Sequence, residues 1–413
     1  MIQNLNFFIF PIFLSLTLFL SSLSDFRVNA VRIFDIVAIL LTLLFIFCAK
    51  QKLNKLRDLS RYQKVIPFFI IIFLWSLYGY LNFHHRSSLA IILLSTIFLL
   101  LFVFTENNLK NTNLIGKYLT FIILFHILAF FVQYLGFILF HIVIDYQIPF
   151  GYISRIFPQD SSHVLRASGI FQEPNTYCVN IFLLLICYLN TNFSRGVFLL
   201  GILSMVLSGS LWGVAVAFFL IPIFFAMTQS NLYSLRFLFS KLVPLFVILI
   251  FFSSTYFYFT KPSHIEVPNI YNRIKNLRTD PSFIERFKKS NLNNNTFDSY
   301  ENGSFTLSHF TNNKDDLFVK MIGEGFSTHY FQLGLPVNTF SLLLKSFGYF
   351  GIISLVLSFF YLISNLSIGK ISFVSAYLVI IFTSYPILTY YIFWISLFYL
   401  IVALTINKNN EKK

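Results

Sequence analysis

The residues best suited to chemistry form a short run, Arg166-Ala-Ser-Gly-Ile-Phe-Gln-Glu-Pro-Asn, which ends directly before an apolar segment. Arg166 supplies a permanent positive charge and Glu173 supplies a carboxylate. Pro174 suits the first position of a helix, because its missing N–H would have no partner there, and Glu173 complements the positive helix end. The run predicts either a capped transmembrane helix with interfacial charges or a site in which Arg166 and Glu173 face the outer leaflet.

A second group of reactive side chains lies in the only long polar interval of the chain, residues 260–337. Its arginines, Arg278 and Arg286 among them, alternate with carboxylates, so steering of an anion by net charge is not expected. The stretch Gly323-Glu324-Gly325, followed by His329, offers two glycines, a carboxylate and an imidazole. As a phosphate loop this signal is weak, because such a loop normally follows a strand and opens a helix. His329 fits an ordinary loop histidine equally well.

Charges inside apolar segments indicate where a cavity could open. Arg32 and Asp35 are three residues apart near one end of a predicted span, and therefore share a helical face. On a continuous helix Asn338, Ser341, Lys345 and Gly348 would fall within an arc of about 80°. Intramembrane charge is costly and usually lines a cavity, although a lysine near a helix end can also snorkel to the surface. We expect an outward-facing cavity between the loop at residues 141–172, the polar interval 260–337 and the apolar segment near 338–363.

The elements that must position these residues are predicted from composition. Hydrophobic residues make up 57% of the 413 residues and charged residues 11%, whereas soluble proteins carry roughly 25% charged residues. A bilayer-spanning helix needs about 20 apolar residues. About twelve such segments lie near residues 7–23, 31–49, 65–82, 88–104, 117–140, 173–190, 196–208, 211–228, 241–259, 338–363, 371–384 and 386–406. The fold class expected is an all-α polytopic membrane protein with one large extracytoplasmic loop.

The distribution of positive charge predicts the orientation. Lys and Arg in short loops stay cytoplasmic, and six of them lie between Lys50 and Lys64. With that loop inside, both termini are cytoplasmic, and the net charge of +14 reflects topology and contact with anionic lipid rather than a nucleic acid partner. Three parts follow: nine helices and an outer loop at 141–172 in residues 1–259, a large outer loop in 260–337, and three helices with a cytoplasmic tail in 338–413.

The order of four short motifs resembles the O-antigen polymerase and ligase superfamily. They are the run from Arg166 to Asn175, the Leu207-Ser208-Gly209-Ser210 turn, the Gly323-Glu324-Gly325 loop, and Asn338 followed after nine residues by Gly348-Tyr-Phe-Gly351. The resemblance covers roughly residues 160–355 in motifs and the whole length in hydropathy. It implies a GT-C-like, metal-independent glycosyltransferase without a cofactor. The enzyme would act at the outer face of the bacterial cytoplasmic membrane on undecaprenyl-diphosphate-linked sugars.

The resemblance also implies roles for individual residues. A lipid diphosphate leaving group calls for cations, for which Arg166 is the first choice, with Arg286 or Arg278 second and Lys345 as support. Candidates for the base that assists the attacking hydroxyl are Glu173, Glu324 and His329. Asn338 and Asn175 are expected to bind substrate. Membrane lipids and a chain-length regulator protein are the other candidate partners.

The residue before Asn338 distinguishes the ligase branch of that superfamily from the polymerase branch. Ligases, which pass finished glycan to lipid A core, resemble a version with His at this position, whereas this chain has Val337. The polymerase (Wzy-type) branch, which joins repeat units for O-antigen or capsule, is therefore favoured. Two alternatives stay open beside it: an O-antigen ligase and a lipid-linked oligosaccharide flippase or other transporter, which should show similar halves. A non-catalytic scaffold would not need the inward polar stripe.

Overall fold

The computed structural model describes residues 2–23, 25–28, 31–50, 59–83, 86–105, 112–148, 166–189, 191, 194–228, 321–323, 325, 339–366, 368–382, 384 and 387–410. The described part is helical except for loops and one pair of two-residue strands. The helices are α1 (Ile2–Ser22), α2 (Ile33–Lys50), α3 (Leu59–Phe83), α4 (Arg86–Thr105), α5 (Thr112–Phe140), α6 (Pro174–Leu189), α7 (Arg195–Leu207), α8 (Leu211–Thr228), α9 (Thr339–Ile363), α10 (Ile368–Phe382) and α11 (Tyr391–Asn410). The strands are β1 (Arg27–Val28) and β2 (Val31–Arg32), and a 3-10 turn covers Ile387–Thr389.

Three of these helices are long and apolar enough to cross a membrane: Gln63–Leu81, Leu114–Phe140 and Ser346–Ile363. Eight shorter apolar helices accompany them within the described ranges. This composition is compatible with a membrane protein, since about 20 apolar residues span the hydrocarbon. The predicted segments agree with the observed helices to within six residues at each end wherever the chain is described. The predicted span at 241–259 and nearly all of the interval 260–337 lie outside the described residues.

The chain divides into two compact units. The first contains residues 1–24, 32–115 and 278–413, and its core is aromatic. The Phe98 ring on α4 meets the Trp394 ring of α11 edge-on at 5.4 Å, and Phe102 meets Phe398 in the same way at 5.0 Å. Arg32 fixes the start of α2 in this unit by donating to the Thr389 carbonyl at 2.8 Å.

The second unit contains residues 25–31 and 116–277, which include nearly all of α5 and the bundle of α6, α7 and α8. The Phe130 and Tyr177 rings stack with centroids 4.9 Å apart. Ten residues earlier on α5, the Thr120 hydroxyl lies 2.7 Å from the hydroxyl of Tyr188. Because later residues of α6 meet earlier residues of α5, the two helices run antiparallel in register.

Helix α9 differs from the continuous helix expected from the sequence. It breaks at Gly348, whose backbone adopts φ 62 and ψ −174, a conformation essentially confined to glycine. The expected stripe of Asn338, Ser341, Lys345 and Gly348 assumed one uninterrupted helix, and the break lies at its last member, while Asn338 lies outside the described residues. Lys345 lies on α9 three residues before the break.

Candidate functional site

The run from Arg166 to Asn175 does not leave the helices but turns back along α5. Gly169 has φ +57, and a Cβ there would stand 3.3 Å from the Phe130 nitrogen and 3.6 Å from the His126 carbonyl oxygen. Only a glycine combines that conformation with that approach at low cost. Phe130 lies ten residues before the end of α5, which is about 15 Å along the helix axis at 1.5 Å per residue. We call residues 166–173 the fold-back segment.

Side chains from elsewhere satisfy the backbone of the fold-back segment. The Oε1 atom of Gln133 accepts the N–H groups of Ser168 and Gly169 at 2.7 and 2.9 Å. The Gln147 amide donates to the Ile170 carbonyl, and an Asp25 carboxylate oxygen accepts the N–H of Gln172 at 3.1 Å. Buried backbone groups need such partners, because an unpaired buried N–H or C=O costs about as much free energy as a lost hydrogen bond. Within the segment, the Ser168 hydroxyl donates to the Phe171 carbonyl at 2.7 Å.

The chain before the segment follows the same path. His141 has φ 55 and reverses the chain directly after α5. The Ile144 carbonyl then accepts the Gln133 Nε2 amide at 2.7 Å, and the Tyr146 hydroxyl donates to the Ala129 carbonyl at 3.4 Å. Burial raises the pKa of the Tyr146 phenol, so this group is a neutral donor at physiological pH. The described ends of the expected outer loop therefore lie against α5.

Helix α6 begins at the end of the fold-back segment as the sequence predicted. Pro174 is its first residue, and the Glu173 carbonyl accepts the first helical bond, from the Tyr177 N–H at 3.1 Å. Glu173 and Asn175 are half-buried, and the Asn175 Oδ1 atom has no hydrogen-bond partner among the residues the structure describes. The early N–H groups of a helix point outward without intrahelical acceptors and favour an anion.

The Leu207-Ser-Gly-Ser turn packs one helical turn further along α6. The Cys178 sulfur lies 3.1 Å from the Ser208 hydroxyl. The Ser210 hydroxyl accepts the Gly213 N–H at 3.2 Å and caps α8. Arg166 is half-buried and interacts electrostatically with Cys178. Arg166, the start of α6 and the 207–210 turn thus form one polar cluster, which we call the α6 cluster. The Ser208 hydroxyl donates to the Met205 carbonyl, so the groups of this cluster that suit an anion are the Arg166 guanidinium and the N-terminus of α6.

A second cluster forms in the first unit from the two glycine motifs. A Cβ on Gly348 would stand 2.5 Å from the Gly323 nitrogen and 2.6 Å from the Met321 carbonyl oxygen. The Gly325 N–H donates to the Ser346 carbonyl at 2.9 Å, and a Cβ on Gly325 would stand 2.6 Å from the Gly79 Cα atom on α3. These distances leave no room for side chains. We call this contact the glycine cluster.

Trp75 of α3 completes the glycine cluster. Its indole N–H donates to the Ile322 carbonyl at 2.8 Å, and its ring stacks on Phe347 with centroids 5.7 Å apart. Gly351 admits the indole, since a Cβ there would stand 2.9 Å from the Trp75 ring. The motif residues 323, 325, 348 and 351 are therefore the ones that let α9 and the end of the polar interval meet α3.

The structure describes some of the expected site residues and not others. Arg166, Glu173 and Asn175 come together in the α6 cluster, and Lys345 lies on α9 ahead of the break. The remaining candidates lie outside the described residues: Arg278, Arg286, Glu324, His329 and Asn338. Arg32 and Asp35, expected on one helical face, stand 3.9 Å apart as an ion pair. No group of three or more metal-ligating side chains occurs in the described ranges.

Sequence reasoning missed the side chains that hold the fold-back segment. Gln133, Gln147 and Asp25 are all buried. Gln133 carried a usable signal, because it is an isolated amide inside an apolar span, where a polar side chain needs a partner. Asp25 and Gln147 lie in loops and carried no comparable signal.

Comparison with known proteins adds no relative to this picture. The chain matches no protein-family model, and no curated protein is significantly similar to it.

Proposed function

We propose that this protein is a polysaccharide polymerase of the bacterial cytoplasmic membrane. It joins undecaprenyl-diphosphate-linked oligosaccharide repeat units, for O-antigen or capsule, at the outer face. The proposal includes an architecture of about twelve transmembrane helices of GT-C-like type with both termini in the cytoplasm. The motif order that resembles the polymerase branch, including Val337 in place of a ligase histidine, is its starting point.

The observation that carries the proposal is that motifs far apart in sequence meet in pairs. Cys178, one turn into the helix that follows the 166–175 run, lies 3.1 Å from the hydroxyl of Ser208 in the 207–210 turn. The 323–325 loop contacts the 348–351 motif through the backbone of Gly323 and Gly348. This proximity supports the proposal, because motifs that the fold brings together are able to serve one site.

The α6 cluster supplies the chemistry that such a transfer needs. The glycosidic bond between the donor sugar and its lipid diphosphate breaks, and the diphosphate leaves with the bonding electrons. The guanidinium of Arg166 and the N-terminus of α6 stabilise that developing charge. A hydroxyl of the incoming repeat unit forms the new bond, and its proton passes to a carboxylate or imidazole. Glu173 is the described candidate for this base, beside Glu324 and His329.

The position of the α6 cluster suits a substrate held at the membrane. If hydrocarbon begins near Lys117, its thickness of about 30 Å extends roughly 20 residues along α5. The contact of Gly169 with Phe130 then lies in the outer half of the bilayer. Arg278, Arg286, Asn338 and Lys345 remain candidates for contact with the sugar or the diphosphate from their motifs alone. No metal or cofactor is required by this chemistry.

The same geometry gives one reason to keep a second candidate, a lipid-linked oligosaccharide flippase. Helix α6 starts beside the middle of α5, and transporters also direct broken helices at anionic groups near the bilayer midplane. The two functions differ in their products. A flippase moves repeat units across the membrane without joining them, whereas a polymerase joins units that have already crossed.

The test is replacement of the gene by an Arg166→Ala variant, followed by gel electrophoresis of surface glycan. We expect the long-chain ladder to collapse to single repeat units, while the amount of protein in the membrane is unchanged. Arg195→Ala is the matched control, because Arg195 is an exposed arginine at the start of α7. Full-length glycan in the Arg166→Ala strain contradicts the assignment of the site. Loss of every repeat unit from the outer face, in the deletion strain, indicates a flippase, and lipid-linked polymer with a bare core indicates a ligase.

A further inference from the structure

Gln133 occupies an unusual place in the second unit. It lies on α5 in an otherwise apolar stretch, and its side chain is fully buried. All of its hydrogen bonds that the structure describes go to backbone of the loop that follows α5. Its Nε2 donates to the Ile144 carbonyl at 2.7 Å, while its Oε1 accepts the N–H groups of Ser168 and Gly169. One amide therefore joins the outgoing and the returning arm of that loop.

The position of these bonds relative to Arg166 gives them their significance. Ser168 is two residues from Arg166, too short a distance for the chain between them to absorb a displacement. The Ile170 side chain is buried, and Phe171 stacks near His126 with ring centroids 5.4 Å apart. The segment is thus packed by apolar contacts and aligned by directional bonds. Hydrogen bonds are more directional than apolar packing, so two N–H groups aimed at one oxygen restrict the register of the segment along α5.

We propose that Gln133 is the positioning residue that fixes the fold-back segment, and with it Arg166, at the start of α6. This inference rests on the proposed function for its catalytic consequence, although not for its structural one. Gln133 touches no substrate in this scheme. It acts through the backbone of Ser168 and Gly169, which sets where the guanidinium stands relative to the diphosphate.

Two substitutions separate the bonds of Gln133 from its bulk. Gln133→Met keeps a similar length and volume and removes all three hydrogen bonds. Gln133→Glu retains an oxygen that accepts from Ser168 and Gly169, and in its neutral form it also donates to the Ile144 carbonyl. Glu is therefore the rescue variant. Gln63→Met is the matched control, since Gln63 is exposed on α3 in the other unit.

The first readout is the rate at which N-ethylmaleimide modifies an Ile170→Cys thiol in isolated membranes. Cys48→Ser provides the background, and the native Cys178 and Cys187 are fully buried. We expect Gln133→Met to raise the modification rate about 10- to 100-fold, because the lost bonds shift the local opening equilibrium. Gln133→Glu and Gln63→Met should leave it unchanged. An unchanged rate in Gln133→Met overturns the proposal whatever the enzyme does.

The second readout is elongation of extracted lipid-linked repeat units by membranes that carry the native Ile170. We expect Gln133→Met to lower kcat about tenfold or more with little change in KM, since a misplaced Arg166 weakens the transition state more than substrate binding. Gln133→Glu should restore most of kcat. Faster thiol modification with an unchanged kcat overturns the positioning role.

The design also covers two other outcomes. If Gln133→Met does not accumulate in the membrane, Gln133→Asn replaces it, because its amide is one methylene too short to reach both arms, and the same expectations apply. If membranes with the native chain elongate nothing, the proposed function fails by itself. The thiol rates then still support or overturn the structural role of Gln133, because they are measured without substrate.

Discussion

The α6 cluster and the glycine cluster hold their backbones in opposite ways. In the α6 cluster the backbone of the fold-back segment is bonded to side chains, chiefly the amides of Gln133 and Gln147. In the glycine cluster the backbone of Gly323 and Gly348 meets directly, with no room for a Cβ atom. The fold-back segment is therefore held by bonds that single substitutions can remove, whereas the glycine cluster is held by direct backbone contact. The difference teaches that the first depends on particular side chains and the second on their absence.

The largest effect on stability is expected at Gly348, in the glycine cluster. A Gly348→Ala variant should lose about 1–3 kcal/mol from its backbone conformation alone, and the overlap with Gly323 and Met321 adds to that cost. We expect a sharp loss of folded protein in detergent, measured by thermal unfolding and size-exclusion chromatography. Gly196→Ala is the control, since its nearest atom would be the Ser194 hydroxyl at 3.9 Å. A Gly348→Ala protein as stable as the native one would refute the closed contact.

A substitution at Arg166 in the α6 cluster should lower activity through the geometry of its charge and should leave stability unchanged. Arg166→Lys keeps the charge but loses the planar fork that pairs with phosphate oxygens, so elongation should fall about tenfold or more. The thermal midpoint should stay unchanged. Rates are measured with extracted lipid-linked repeat units, and Arg195→Lys serves as the control. Equal activity of Arg166→Lys and the native chain would show that the guanidinium contributes only its charge.

Trp75 tests whether the glycine cluster depends on a side-chain bond after all. A Trp75→Phe variant keeps a ring against Phe347 but leaves the Ile322 carbonyl without its donor. We expect a loss of about 1–3 kcal/mol in stability, read as a lower thermal midpoint. Activity per folded molecule should be unchanged. A fall in activity without a fall in stability would indicate that the glycine cluster takes part in the reaction.

The smallest effect is expected where the α6 cluster is only structural. Ser210→Ala removes the cap of α8 and should cost about 1 kcal/mol. Ser194→Ala is the matched control, because Ser194 precedes α7 without making a side-chain cap bond. Thermal midpoints of the two variants give the comparison. If Ser210→Ala instead lowers elongation at full stability, its hydroxyl belongs to the binding site.

The helices could be predicted from sequence because their signals are local. Apolar runs and a proline at position 174 defined α6 within a residue of its observed start. The break in α9 could not be predicted in the same way, because Gly348 inside an apolar run is equally compatible with a helix. Its conformation depends on contact with Gly323, twenty-five residues earlier in the sequence. Helical periodicity carries no information about such a contact.

The fold-back segment shows the same limit for the candidate site. Its charged residues were identified from their types, but the sequence predicted a loop outside the helices. The observed path depends on bonds from Gln133 to residues thirty-five and thirty-six positions away. An isolated glutamine in an apolar span indicates that a partner exists without identifying it. Only three-dimensional packing identifies the partner.

The backbone contact of Gly323 with Gly348 has a consequence for which positions of the motif can change. Tyr349 and Phe350, between Gly348 and Gly351, are exposed, whereas the two glycines leave no room for a side chain. We therefore expect the fold to tolerate substitutions at the aromatic pair and not at the glycines. The surface that this motif presents can change while its frame stays constant.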